Sequence, residues 1–188
     1  MGNALFLSVA LFGLLQSPAM QRESEIAALR RSLGIPAAVK ITAARMTQLP
    51  SERPLKVYID AGDDASAARE VHDFIQALNA KQDDQYGTIE IVNGSAAASL
   101  WLVQYEVPGT RRKEAETPNS MATDPARGRG QTENIIRAEV RGYILVSKPE
   151  GLEILSRYQK EVTLGDRHRE LRGAFSKLLK EHGKTEIQ

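Results

Sequence analysis

Hydrophobic and polar positions along this chain fall into short blocks whose period switches between two and about three and a half. Leu55, Val57 and Ile59 alternate with Lys56, Tyr58 and Asp60, which predicts a strand. Gly62-Asp63-Asp64 turns the chain, and a helix is predicted over 65–80. Ala68, Val71, Ile75 and Leu78 line one side of it, and Phe74 widens the stripe. A second strand is predicted over 88–92. After the turn Asn93-Gly94 and a run of small residues, a third is predicted over 100–107. Leu100 and Leu102 face one way in it, and Trp101, Val103, Tyr105 and Val107 the other. Apolar residues on both sides predict a central strand.

The most sustained alternation follows. Ile136, Ala138, Val140, Gly142, Ile144 and Val146 occupy one side of a long strand, with Arg137, Glu139, Arg141 and Tyr143 on the other. Lys148-Pro149-Glu150-Gly151 is a turn, and 152–162 reads as the return strand of a hairpin. Gly165-Asp166 leads into a last helix with Leu171, Phe175 and Leu178 on its buried side, Leu179 beside them and Gly183 at its end. The order β-α-β-β-(loop)-β-β-α predicts an α+β two-layer sandwich: a mixed or antiparallel sheet of about five strands with two helices on one face.

The flanks read differently. Ala4 to Leu15 is an apolar run of twelve residues broken only by Ser8 and Gly13. It is too short for a bilayer span of about 20 residues. It matches a secretory signal's hydrophobic region, with Ser17 and Ala19 suited to cleavage after Ala19. Against this, no Lys or Arg precedes the run, and the first basic residue is Arg22. A buried core helix is the alternative. Residues 1–19 are thus expected to be a signal peptide. Residues 20–54 are expected to hold a helix over 23–33 and a connector with Pro36, Pro50 and Pro54. One short extended piece is expected around Val39-Lys40-Ile41. A single domain is expected over 55–183. Within it, 108–134 has no period and is rich in Gly, Pro, Thr, Arg and Glu, the composition of a disordered, flexible insert.

Composition narrows the functional classes. The chain is 41% hydrophobic and 26% charged, ordinary for a folded domain. With 25 basic and 24 acidic residues the net charge is +1, which gives no electrostatic case for nucleic acid. Arg127-Gly128-Arg129-Gly130 is too short a unit, with acidic neighbours and no aromatics, to change that. There is no cysteine, so disulfides, thiolate catalysis and zinc–thiolate sites are excluded.

Candidate chemistry is sparse. Asp60, Asp63 and Asp64 cluster at the end of the first predicted strand, where carboxylates can hold Mg²⁺ or Ca²⁺. The same residues suit helix initiation by bonding free backbone amides, and capping is the preferred reading. His72, His168 and His182 lack the spacing of a shared metal or catalytic site. Gly62 and Gly94 belong to no phosphate-binding pattern. Trp101 and Tyr105 share one strand side, and Tyr143 stands beside Arg137 and Arg141. If that sheet face is open, these five residues form a protein-binding surface; otherwise the aromatics are core.

The opening strand Lys56-Val57-Tyr58-Ile59, a helix, a strand with Trp101-Leu102-Val103 and a hairpin turning on Pro149-Glu150-Gly151 precede a terminal helix. Over residues 55–182 this resembles the small α/β domains of bacterial envelope proteins, namely the outer-membrane activators of penicillin-binding proteins and the curli-secretion channel family. The resemblance implies an interaction module rather than an enzyme. Those families often carry a lipidated cysteine, which this chain lacks. The expectation is an exported, periplasmic or secreted module that binds another envelope protein through its sheet face or the 108–134 insert. No cofactor, nucleic acid or stable membrane span is expected. The alternative is a small exported metal-assisted enzyme using Asp60, Asp63 and Asp64.

Overall fold

The computed structural model describes residues 18–43, 49–81, 87–115 and 134–182. The chain divides into two compact units, residues 1–37 and 38–188. In the first, α1 (Pro18–Leu33) begins ahead of the helix expected at Glu23. Gly34, at φ +60°, ends the helix, and the Ile35 amide returns to the Arg30 carbonyl at 3.0 Å. The apolar run 4–15 lies outside the described residues.

The second unit is the α+β sandwich. Its strands are β1 (Lys40–Ala43), β2 (Leu55–Asp60), β3 (Ile89–Ile91), β4 (Leu100–Glu106), β5 (Arg112–Ala115), β6 (Asn134–Lys148) and β7 (Gly151–Thr163). Its helices are α2 (Ala65–Ala80) and α3 (His168–His182). Among the described residues the strands form one mixed sheet of seven in the order β1-β7-β6-β4-β2-β3, with β5 also on β6. Only β6 runs against the others: β1–β7, β4–β2 and β2–β3 pair parallel, while β4, β5 and β7 all meet β6 antiparallel.

The sheet has seven strands where periodicity predicts about five. The extra two are β1, from the connector, and β5, from the start of the 108–134 insert. Both are four residues long, too short to display a period. They form because β7 and the N-terminal end of β6 offer them paired edges. Residues 116–133 of the insert lie outside the described residues.

Alternation sorts each strand into two sides. Leu55, Val57, Ile89, Leu100, Leu102, Ile144 and Val146 meet Ala67, Val71 and Ile75 of α2 and Leu171, Phe175, Leu178 and Leu179 of α3 in one core. Both helices therefore cover the same face of the sheet. Phe74 and Phe175 meet edge to face across the helix pair, with centroids 6.1 Å apart. On the second face Val103, Tyr143 and Leu145 are also buried.

Two local devices matter below. Between β6 and β7 the register slips: Ile144 faces Ser156 while Leu145 faces Ile154, so Leu155 is an extra residue, a β-bulge. Leu155 packs on the helix-side core. Further along, Gly142 of β6 faces Tyr158 of β7, and a Cβ at Gly142 would overlap the Tyr158 ring. Tyr158 thus lies over a glycine that has no side chain of its own to pack.

Gly142→Ala is expected to destabilise the protein by about 1–3 kcal/mol, the usual cost of overpacking. Urea unfolding of the variant measures it.

Candidate functional site

Parallel strands gather their carboxyl ends on one side, and in open sheets ligands bind in the crevice there. Here β2 and β4 end beside the start of α2. The crevice encloses about 340 Å³ and is lined by Gly62, Asp63, Asp64, Gln104, Glu106, Arg111 and Arg167, among others.

Asp64 reaches this position as the N-cap of α2. Its Oδ1 accepts from the Ala67 amide at 3.1 Å, which satisfies one of the donors a helix start leaves open. Its Oδ2 lies 2.8 Å from Arg167 Nε, in the turn before α3. The same guanidinium stands 3.1 Å from Glu106 Oε2 at the end of β4. Arg111 grips Glu106 from the other side with two parallel bonds, Nε to Oε1 and Nη2 to Oε2, both 2.8 Å. The hydrogen bond from Arg111 holds the Glu106 carboxyl below its ordinary range, helped by the nearby charges of Arg111 and Arg167 and opposed by burial. Glu106 in turn raises Arg111.

Behind these charges sits Gln104, only 2% exposed. It occupies the helix-side row of β4 after Leu100 and Leu102, so a buried amide stands where apolar residues are the rule. Both ends of it are satisfied, as a buried polar group requires. Nε2 donates to the Arg167 carbonyl at 3.2 Å, and Oε1 accepts from the Tyr158 hydroxyl at 2.5 Å. Burial raises the Tyr158 hydroxyl well above its usual range, and the negative charges of Glu170 and Asp64 add to the rise. The amide thus links β7 through β4 to the Arg167 turn.

The arrangement is an alternating chain of charges, Asp64–Arg167–Glu106–Arg111, in which each carboxylate already has a cation. Glu106 stays ionised through the neutral range, so it is a fixed ion-pair partner rather than a proton shuttle.

Asp60, Asp63 and Asp64 do not act together. Asp60 Oδ1 accepts from the Gly62 amide at 3.0 Å, Asp63 is exposed, and Asp64 is committed to its cap and to Arg167. Among the described residues no three His, Asp or Glu side chains gather as a metal site. His72 Nδ1 and His168 Nε2 lie 3.8 Å from Asp73 and Glu70 respectively, apart from each other on α2 and α3. The His182 side chain lies outside the described residues.

The five residues expected to form a sheet-face patch separate into different settings. Tyr143 is 2% exposed and stacks on Tyr105 with centroids 6.1 Å apart, so its ring is interior. Arg137 Nε pairs with Glu114 at 2.8 Å, and Arg141 with Glu139 at 3.2 Å. Trp101 stays half-buried, meets Tyr58 edge to face at 5.7 Å, and donates its indole N–H to Ser147 Oγ at 3.1 Å. Tyr58 stands directly opposite Trp101 in the parallel register, a pairing that alternation within a single strand does not reveal.

The site therefore belongs to an α+β protein whose crevice is lined by its own ion pairs. No family model matches the chain, and no curated protein does. Matches among solved structures include the crystal structure of protein XCC0632 from Xanthomonas campestris, of the DUF330 family. It is 11% identical, covers 76% of this chain and 87% of that one, and superposes with a TM-score of 0.27. A likeness that slight transfers neither fold nor activity. Among the described residues no helix is long and apolar enough to cross a membrane.

Two pH effects are expected. Because Glu106 sits below its unfolded value, its ion pairs stabilise the fold at neutral pH and that contribution is lost as pH falls through its depressed value. The stability gap between wild type and Glu106→Gln should shrink toward acid in a chemical-denaturation series. Tyr158 has the opposite sign: its raised value makes the fold lose stability above pH of about 10, the ordinary tyrosine value. Tyr158→Phe should lower stability at neutral pH by about 1–3 kcal/mol, since it leaves Gln104 Oε1 unpaired, and should lose less of what remains between neutral and strongly alkaline pH.

Proposed function

We propose that this chain is an exported, non-enzymatic protein-interaction module of the envelope or secreted fraction, and that Trp101 with Tyr58 anchors its partner. The half-buried Tyr58–Trp101 pair carries this reading. Aromatic anchors supply most of the binding energy in protein interfaces, and Trp and Tyr are the types most enriched there. The pair lies on the sheet side away from α2 and α3, with rings held rigid by their mutual contact and by the bond to Ser147. A rigid ring loses little conformational freedom on binding, which favours affinity. The Tyr58 hydroxyl is raised by burial and by Asp60, so it stays a neutral donor at physiological pH.

Three further features support the reading. Two of the crevice carboxylates, Asp64 and Glu106, are committed to arginines, and Asp64 also to a helix cap. The apolar run Ala4–Leu15 followed by Ser17 and Ala19 supports export. The element order resembles small envelope domains with interaction roles.

Export predicts a mature form starting at Met20, recovered outside the cytoplasm, by fractionation and intact mass. A full-length cytoplasmic chain would refute it. For the interaction, the tagged protein crosslinked in envelope extract should capture a defined partner. Trp101→Ala, at unchanged secondary structure, should lose it through a binding cost of about 2 kcal/mol or more. Equal capture by the variant would remove Trp101 from the interface.

A further inference from the structure

Asn93 and Gly94 stand where the chain leaves β3 and turns toward β4. Both are exposed, and the chain bends there outside any strand or helix. Of the five asparagines only Asn93 is followed by glycine. Asn79, in the last turn of α2, is exposed too, yet both ends of its amide are engaged. Its Nδ2 donates to the Ile89 carbonyl at 2.8 Å, and its Oδ1 accepts from the Ile89 amide at 3.1 Å. Among the described residues nothing bonds to the Asn93 side chain or to the Gly94 amide.

The fold gives no conformational reason for a glycine at position 94. Its backbone is extended, with φ −127° and ψ 134°, a shape any residue adopts, and a Cβ there would meet nothing within 4 Å. What the absent side chain leaves is an unhindered amide nitrogen beside a free carboxamide.

We propose that Asn93-Gly94 is a site of spontaneous covalent modification, where Asn93 passes through a cyclic imide to aspartate and isoaspartate. The Gly94 nitrogen attacks Asn93 Cγ and a five-membered ring closes. As the new N–Cγ bond forms, the Cγ–Nδ2 bond breaks, and the side-chain nitrogen leaves as ammonia with the proton that Gly94 gives up. Water then opens the ring at either carbonyl. Opening at Cγ restores the main chain and leaves aspartate. Opening at the main-chain carbonyl routes the chain through Cγ and leaves isoaspartate. No electron is transferred, and water is the co-reactant.

Either product adds a negative charge to the β3–β4 connection, and isoaspartate also lengthens its main chain by one carbon. The change stays local because both ends of the connection are anchored. The Val92 amide bonds to the Val57 carbonyl at 2.9 Å, and the Ser99 amide to the Lys56 carbonyl at 3.0 Å. Ser99 Oγ also donates to Glu52 Oε2 at 2.8 Å. This site does not depend on the function proposed for the Tyr58–Trp101 pair.

The test is to incubate the folded, full-length protein at physiological temperature in neutral and mildly alkaline buffer. The tryptic peptide 82–111, which contains no other asparagine, is then followed by mass spectrometry. Wild type is expected to gain a single mass unit there within days, as two chromatographically distinct products. Ammonia should be released, the rate should rise with pH, and the far-UV spectrum should stay unchanged. Asn93→Gln should abolish the gain. Gly94→Val, which the extended backbone admits, should slow it by about tenfold or more, because a β-branched side chain crowds the attacking nitrogen. A synthetic peptide of the same sequence sets the unhindered rate. The folded protein should react within about tenfold of it, since an exposed, unbonded segment has little protection to lose. A folded chain slower than that, a gain that persists in Asn93→Gln, or an equal rate in Gly94→Val overturns the proposal.

Discussion

One buried amide fixes how this molecule is put together at its functional end. Gln104 stands in an otherwise apolar row and has to find partners for both its N–H and its oxygen, or leave a group unpaired at a cost of about 1–3 kcal/mol. It finds the Tyr158 hydroxyl on β7 and the Arg167 carbonyl ahead of α3. The first partner demands that β6, which lies between, carry no side chain at Gly142. The second holds the turn that presents the Arg167 guanidinium to Asp64 and Glu106. Sheet register, the glycine and the ion-pair chain thus meet at one side chain.

The single reversed strand makes this possible. Because β6 alone runs antiparallel, β4 and β7 lie parallel on either side of it, and their residues meet across Gly142. The parallel trio β4-β2-β3 gathers the ends of β2 and β4 beside the start of α2, so the Asp64 cap and Glu106 fall within reach of one arginine. A crevice that in other sheets admits a ligand is here lined with matched charge. That shifts attention to the sheet side away from the helices.

Much of the framework was legible in the chain itself. Strand β2 and helix α2 match their predicted bounds because their periods are unbroken and Asp64 supplies a cap at the junction. β1 and β5 were not legible as strands of the sheet, since four residues cannot establish a period and their pairing is non-local. Gln104 is legible as one polar residue in an apolar row, and its place opposite Gly142 follows only from the β4–β6 register. Tyr158 was not visible as its partner. The bulge at Leu155 shifts the side-chain parity of β7, so alternation counted from Leu152 assigns the later residues to the wrong face. Arg167 lies in an aperiodic turn, and only the docking of α3 brings it to Asp64. Tyr143 stood on the polar side of its strand, yet it is interior because its ring stacks on Tyr105.

The central claim is that Tyr158 and Gln104 act as one unit across β6. A double-mutant cycle with Tyr158→Phe and Gln104→Met, followed by urea unfolding, tests it directly. The account predicts a coupling of about 1 kcal/mol or more, because either change alone leaves the other partner unpaired and the second then costs little. Effects that add to within about 0.5 kcal/mol would contradict it.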